Sequence, residues 1–260
     1  MKILCVGDVC GSIGCNFLMR VLPEIKKQNN IDLTIVNGEN SADGNGITPS
    51  SADSIFAAGA DVITGGNHSL RRREIFSLLE TNDSILRPHN VITSATGKGY
   101  AEIDLGYTRV AVINLCGRVY MPEAKNPFTA ADKLISLAES SGINKIIVDF
   151  HAEATSEKRA LAAYLDGRVS AVFGTHTHVA TADACILEKG TGFITDIGMT
   201  GPENSVLGVK TELSLARIKD ETPVKFELAD GKCRLDACIF EIDKTNGKTV
   251  SIKQFSKHEF

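Results

Sequence analysis

The sequence predicts an α/β fold with a mixed or two-sheet core and a β-rich C-terminal part, in one domain over residues 1–260. Three observations lead there. From Lys2 to Gly174 short apolar runs alternate with helical stretches, which is the pattern of strands joined by crossover helices. Polar strings rich in Gly, Asn, His and acids follow directly on those runs. Beyond Gly192 strand-like segments and sharp turns take over.

Lys2 to Val9 is short, partly β-branched and stopped by Gly and Asp, so it reads as a buried strand. Ser12 to Gln28 carries Ile13, Phe17, Leu18, Val21, Leu22 and Ile25 at helical spacing, and Asp32 to Val36 is a second strand. Pro49 opens a helix through Ala58, Asp61 to Thr64 is a third strand, and Arg71 to Glu80 reads as a helix. Tyr100 to Asp104 and Arg109 to Leu115 form a hairpin about Gly106-Tyr107. A helix over Ala130 to Ser140, a strand over Ile146 to Phe150, a helix over Glu157 to Leu165 and a strand over Ala171 to Gly174 follow. The alternation implies a parallel central sheet. Phe193 to Ile197 is strand-like, and Asp230-Gly231 and Asn246-Gly247 read as hairpin turns.

A formal charge of −4 gives no basic field for gripping long nucleic acid, although a bound metal would supply local countercharge for a small anion. No run of eighteen apolar residues occurs, and Met1 to Val6 is too short for a signal-peptide core. A cytoplasmic protein without membrane contact is expected. Seven scattered cysteines suit buried thiols rather than disulfides.

In a parallel sheet the carboxyl ends of the strands line one edge, where ligands bind. Asp8, Glu39-Asn40, Asn67-His68, His151 and His176-Thr177-His178 all fall there. Each string alone has a plain structural reading: Asp8 as a helix cap, Glu39-Asn40 as a solvated loop, Asn67-His68 as a turn, and His151 as a hydrogen-bonded core histidine. Five such coincidences at one edge favour a metal site. His176 and His178, two apart at a strand end, are expected to share a face by the period of two. Carboxylate, imidazole and amide oxygen together suit Fe, Mn or Zn rather than calcium or a thiolate-selected metal. Glu39, as a bridging acid, would hold two ions roughly 3.5–4 Å apart.

The strings Gly7-Asp8-Val9, Gly38-Glu39-Asn40, Gly66-Asn67-His68, His151 and Gly174-Thr175-His176-Thr177-His178 resemble, in order, the motif blocks of calcineurin-like metallophosphoesterases. Glu39-Asn40, the run Asp149 to Lys158 and the run Asp196 to Pro202 resemble more narrowly the YmdB-type bacterial phosphodiesterases. The resemblance implies a metallophosphoesterase-type α/β/β/α sandwich and two divalent or trivalent ions, Fe ahead of Mn or Zn. It places one ion on Asp8, Glu39, Asn40 and His178 and the other on Glu39, Asn67, His151 and His176. His68 is then the general acid, and water activated by the metals is the nucleophile on a 2′,3′-cyclic nucleotide or related small phosphodiester. Cys10 stands where the broad superfamily has histidine; the narrower branch also lacks that histidine, and Asn40 takes its place. A homo-oligomer is left open.

Around this set, His89 and Arg71-Arg72-Arg73 could reach the mouth of the site, although a surface imidazole and a solvated helix start are the plainer readings. Asp196 and Thr200 suit the pocket floor, and His258 is peripheral. Two other functions compete: a non-catalytic nucleotide or metal sensor using the same residues, and a dinucleotide-binding oxidoreductase. The second is weak because Gly7, Gly11 and Gly14 miss the GxGxxG spacing.

Overall fold

A computed structural model describes residues 1–92, 96–121 and 124–260. The chain runs β1 (Lys2–Val6), β2 (Asp8–Val9), α1 (Gly11–Asn29), β3 (Leu33–Asn37), α2 (Pro49–Ala57), β4 (Val62–Thr64) and α3 (Phe76–Thr81). Then come β5 (Tyr100–Asp104), β6 (Arg109–Cys116), α4 (Pro127–Ser140), β7 (Ile146–His151), α5 (Thr155–Leu165) and β8 (Ala171–Thr175). It ends with β9 (Cys185–Ile186), β10 (Gly192–Ile194), β11 (Met199–Pro202), α6 (Thr211–Ile218), β12 (Cys233–Ile242) and β13 (Thr249–His258).

The core is two mixed sheets, as the β-rich C-terminal part led one to expect, and the parallel alternation of the first part is divided between them. The first has the order β2-β11-β12-β1-β3-β4, with β13 also paired to β12; the second has the order β5-β6-β7-β8-β10-β9. In the first, parallel β1, β3 and β4 form one side, with β12 antiparallel to β1; in the second, parallel β6, β7, β8 and β10 are flanked by antiparallel β5 and β9. Alternation of side chains explains the layering. Ile3, Cys5, Ile35 and Phe240 of the first sheet meet Val110, Val112, Ile147 and Phe173 of the second between the sheets. Leu4, Val6 and Val36 point the other way, under Leu18 and Leu22 of α1 and Ile55 of α2. Ile113, Val148 and Phe150 do the same under Leu134 of α4 and Leu161 of α5. The result is an α/β/β/α sandwich, the layering that the resemblance implies.

Local chemistry starts the helices where expected. Thr48 caps α2 by accepting from Ser51 N while Ser51 answers Thr48 N, and Pro49 takes the first turn. Asn126 caps α4 by accepting from Phe128 N, and Pro127 takes its first turn. Three expectations need correction. The helix over Arg71 to Glu80 is a 3-10 turn at Arg73–Ile75 followed by α3, with Arg71 and Arg72 ahead of it. Asn246-Gly247 does join paired strands, β12 and β13, but Asp230-Gly231 only leads the chain into β12. The β-rich tail also holds a helix, α6, in which only Ser214 is buried, so its apolar periodicity was too thin to read.

Candidate metal centre

The rim is shared by both sheets. Asp8 lies on β2, Glu39 and Asn40 follow β3, Asn67 and His68 follow β4, His151 ends β7, and His176 and His178 follow β8. All eight predicted residues come together. Asp8 does not cap α1, whose cap position is Cys10.

Glu39 sits at the middle, with 1 % of its surface exposed. Its Oε1 lies 3.2 Å from His151 Nε2 and 3.3 Å from His68 Nδ1, and its Oε2 accepts from His68 N at 2.9 Å. Burial pushes the Glu39 carboxyl up, but the facing His151 and the hydrogen bonds of His151 and His68 hold it well below its ordinary range. Burial likewise disfavours a charged His151, and Glu39 reverses this and raises it. Burial and the charge of His151 push His176 down to about 4, which leaves it neutral and able to bind a metal at neutral pH. The Glu39, His151 and His176 donor atoms lie within 4.8 Å of one another. Asn67 Oδ1 stands 2.9 Å from His151 Nε2, beside this group.

Asp8, Asn40 and His178 form the other half. Asp8 Oδ2 accepts from His176 N at 3.2 Å. Asp8 Oδ1 is buried without a hydrogen-bond partner, 3.8 Å from His178 Nε2 and 4.0 Å from His151 Nδ1. An acceptor so orphaned costs about 1–3 kcal/mol or more, and a cation seated there would remove the penalty. Burial raises the Asp8 carboxyl above its ordinary value. The donor set and this open acceptor fit a metal site. Asn40 presents Nδ2 to Glu39 Oε1 at 2.9 Å and to His178 Nε2 at 3.3 Å, with Oδ1 3.0 Å from His68 Nδ1. Turning the amide by half a rotation exchanges the two atoms and aims the oxygen at the ligands.

Backbone strain marks the same place. The expectation that His176 and His178 share a strand face fails, because β8 stops at Thr175 and both histidines take left-handed backbone, φ 104° and 61°. Non-glycine residues held so cost on the order of 1–3 kcal/mol each. The turn is pinned by Asp196, fully buried, whose Oδ2 accepts from Thr177 N at 3.0 Å and from Lys158 Nζ at 2.8 Å. His178 Nδ1 lies 3.0 Å from the Leu207 carbonyl. Gly66 is required by close approach: a Cβ there would stand 2.2 Å from His151 Nε2 and 2.3 Å from Glu39 Oε2.

Behind His151, Thr175 Oγ1 lies 2.9 Å from Nδ1 and donates to Asp149 Oδ1 at 2.7 Å. Asn37 Nδ2 and Thr64 Oγ1 donate to Asp149 Oδ2. Asp149, Glu153 and Lys158 all lay in the quoted run, but spacing assigned them nothing; Glu153 Oε2 proves to lie 3.0 Å from His176 Nε2.

A cavity of about 510 Å³ opens over the rim, lined on its polar side by Glu39, Asn40, His68, Arg71, Glu153 and His176. Cys10 also lines it, with Sγ 3.7 Å from His178 Nδ1. Arg71 therefore reaches the mouth. Arg72 instead braces the loop at Asn45, Arg73 starts the 3-10 turn, and His89 lies outside the lining. His258 pairs with Glu203 on the surface.

A family model described as YmdB-like protein matches residues 4–255. The chain belongs to this family. It is 44% identical over 254 residues to the 2′,3′-cyclic-nucleotide 2′-phosphodiesterase of Bacillus subtilis (strain 168), covering 98% of this chain and 96% of that one. Among solved structures, a hypothetical protein from Thermus thermophilus superposes with a TM-score of 0.93 at 39% identity, covering 100% of both chains. A novel phosphatase from Mycoplasma pneumoniae gives 0.93 at 32% identity, over 99% of this chain and 93% of its own. Among the described residues no helix is long and apolar enough to cross a membrane.

Proposed function

We propose that this YmdB-like chain is a dinuclear metal-dependent phosphodiesterase that hydrolyses 2′,3′-cyclic nucleotides, with residues 1–260 acting as one domain. The observation that carries the reading is the orphaned, buried Asp8 Oδ1 facing His178 and His151 across a rim whose other donors converge on Glu39. Asp8, Glu39, Asn40 and His178 hold one ion, and Glu39, Asn67, His151 and His176 the other, with Fe the first choice and Mn or Zn the alternatives. When bound, the ions supply Lewis-acid charge for the phosphoryl oxygens and acidify water.

The chain's own residues do the rest. Glu39 Oε1 holds His68 Nδ1, which leaves Nε2 as the atom that exchanges a proton. As water attacks phosphorus and the bond to the ribose 2′-oxygen breaks, His68 Nε2 donates its proton to the departing alkoxide. A nucleoside 3′-monophosphate results. Arg71 at the mouth draws the anion inward. Seven free thiols, six of them buried, suit a reducing, cytoplasmic setting.

The test is metal analysis of anaerobically purified protein followed by a panel of 2′,3′-cyclic, 3′,5′-cyclic and linear diesters. Turnover of the 2′,3′-cyclic substrates that stops on chelation is expected. Micromolar nucleotide binding without turnover under Fe, Mn or Zn would replace the enzyme with a sensor.

A further inference from the structure

The cavity above the rim has a lining of two unlike kinds, polar and apolar. Besides His68, Arg71 and Glu153, its lining includes Leu207, Val209, Phe226 and Leu228, with Lys225 next to Phe226. Phe226 is 48 % exposed and Leu207 47 %, so two large apolar groups face water beside a site built for an anion. They are not on a loose loop. The Leu207 carbonyl meets His178 Nδ1 at 3.0 Å, Lys210 N donates to the Glu227 carbonyl at 3.0 Å, and Ala229 N donates to the Gly208 carbonyl at 2.9 Å. Leu228 rests against Gly11 at the start of α1, so closely that a Cβ on Gly11 would collide with it. Residues 205–210 and 226–229 thus make a braced flap whose apolar side chains help line the cavity.

A phosphate seated on the rim leaves most of the cavity for its ester group. At about 510 Å³ the cavity has room for a whole nucleotide. We propose that the Phe226 wall is a nucleobase subsite, in which the base stacks on the Phe226 ring and its edge rests on Leu207 and Val209. This rests on the phosphodiesterase reading above. Stacking on a phenyl face tolerates every base, so purines are favoured over pyrimidines by overlap alone and no base is excluded.

The experiment compares wild type, Phe226→Ala and Phe226→Trp on 2′,3′-cyclic AMP and on glycerol 1,2-cyclic phosphate, a five-membered diester with no base. Phe226→Ala is expected to raise KM for the nucleotide roughly tenfold, the scale of a lost stacking contact, while kcat/KM for the base-free diester stays within about twofold. Phe226→Trp keeps the wild-type KM. Equal losses on both substrates, or none on either, would overturn the subsite. Calorimetric binding of adenosine 3′-monophosphate and of inorganic phosphate separates this from the reading beneath it. If wild type cleaves no cyclic diester, the phosphodiesterase reading fails; Phe226→Ala that then weakens the nucleotide and not phosphate still upholds the subsite, and equal effects end it.

Discussion

The rim and the flap enclose one cavity but are built in opposite ways. The rim is buried or half-buried, lies at the ends of five strands from two sheets, and is tied by hydrogen bonds between residues far apart in sequence, such as Asn37 to Asp149 and Lys158 to Asp196. The flap carries exposed side chains on turns around a short helix, braced by a few backbone bonds and the exposed pair Lys210–Glu227. Chemistry needs atoms fixed to fractions of an ångström, which a sheet edge provides. Choosing among ester groups needs only an apolar surface of suitable size, and a braced loop is enough for that.

Changes that sharpen this contrast follow in order of size. His68→Ala should lower kcat by about 10²–10⁴-fold, the usual worth of a general acid, while metal content persists. Parallel metal analysis and steady-state kinetics check this, and full activity would remove His68 from its role. Lys158→Ala strands the Asp196 carboxylate in the interior and should cost about 3–5 kcal/mol in chemical denaturation. Lys210→Ala, on the flap, should leave the denaturation midpoint unchanged. Equal effects of the two would erase the distinction between rim and flap.

The smallest effect concerns pH. Burial pushes Asp149 up to about 6, so the fold favours its protonated form. Its contribution is complete below the unfolded value near 4 and is lost as pH rises through about 6, at no more than ~1.4 kcal/mol per pH unit. Denaturation of the metal-free protein should therefore show wild type falling relative to Asp149→Asn between pH 4 and 6. Parallel profiles would contradict the direction.

What the sequence disclosed follows the same division. Strands such as β1, β3 and β7 are short apolar runs that end in Gly or in the polar groups themselves, so their order and the rim residues could be read locally. The division of the rim between two sheets could not, because it depends on which strands pair. The left-handed turn at His176 and His178 was equally hidden, since Asp196 fixes it from about twenty residues onward in the chain. Phe226 stood in a stretch that lacked any motif, between an unrecognised helix and a misread hairpin turn. Alternation in Lys225-Phe226-Glu227-Leu228 was the one signal available, and it shows a face without saying what the face meets.

Glu39 joins both halves of the rim, so the most direct test is to measure metal content and turnover of 2′,3′-cyclic AMP together in Glu39→Ala. The account predicts loss of bound metal and a fall in kcat on the order of a thousandfold or more. A folded Glu39→Ala protein that keeps its metal and its turnover would contradict it.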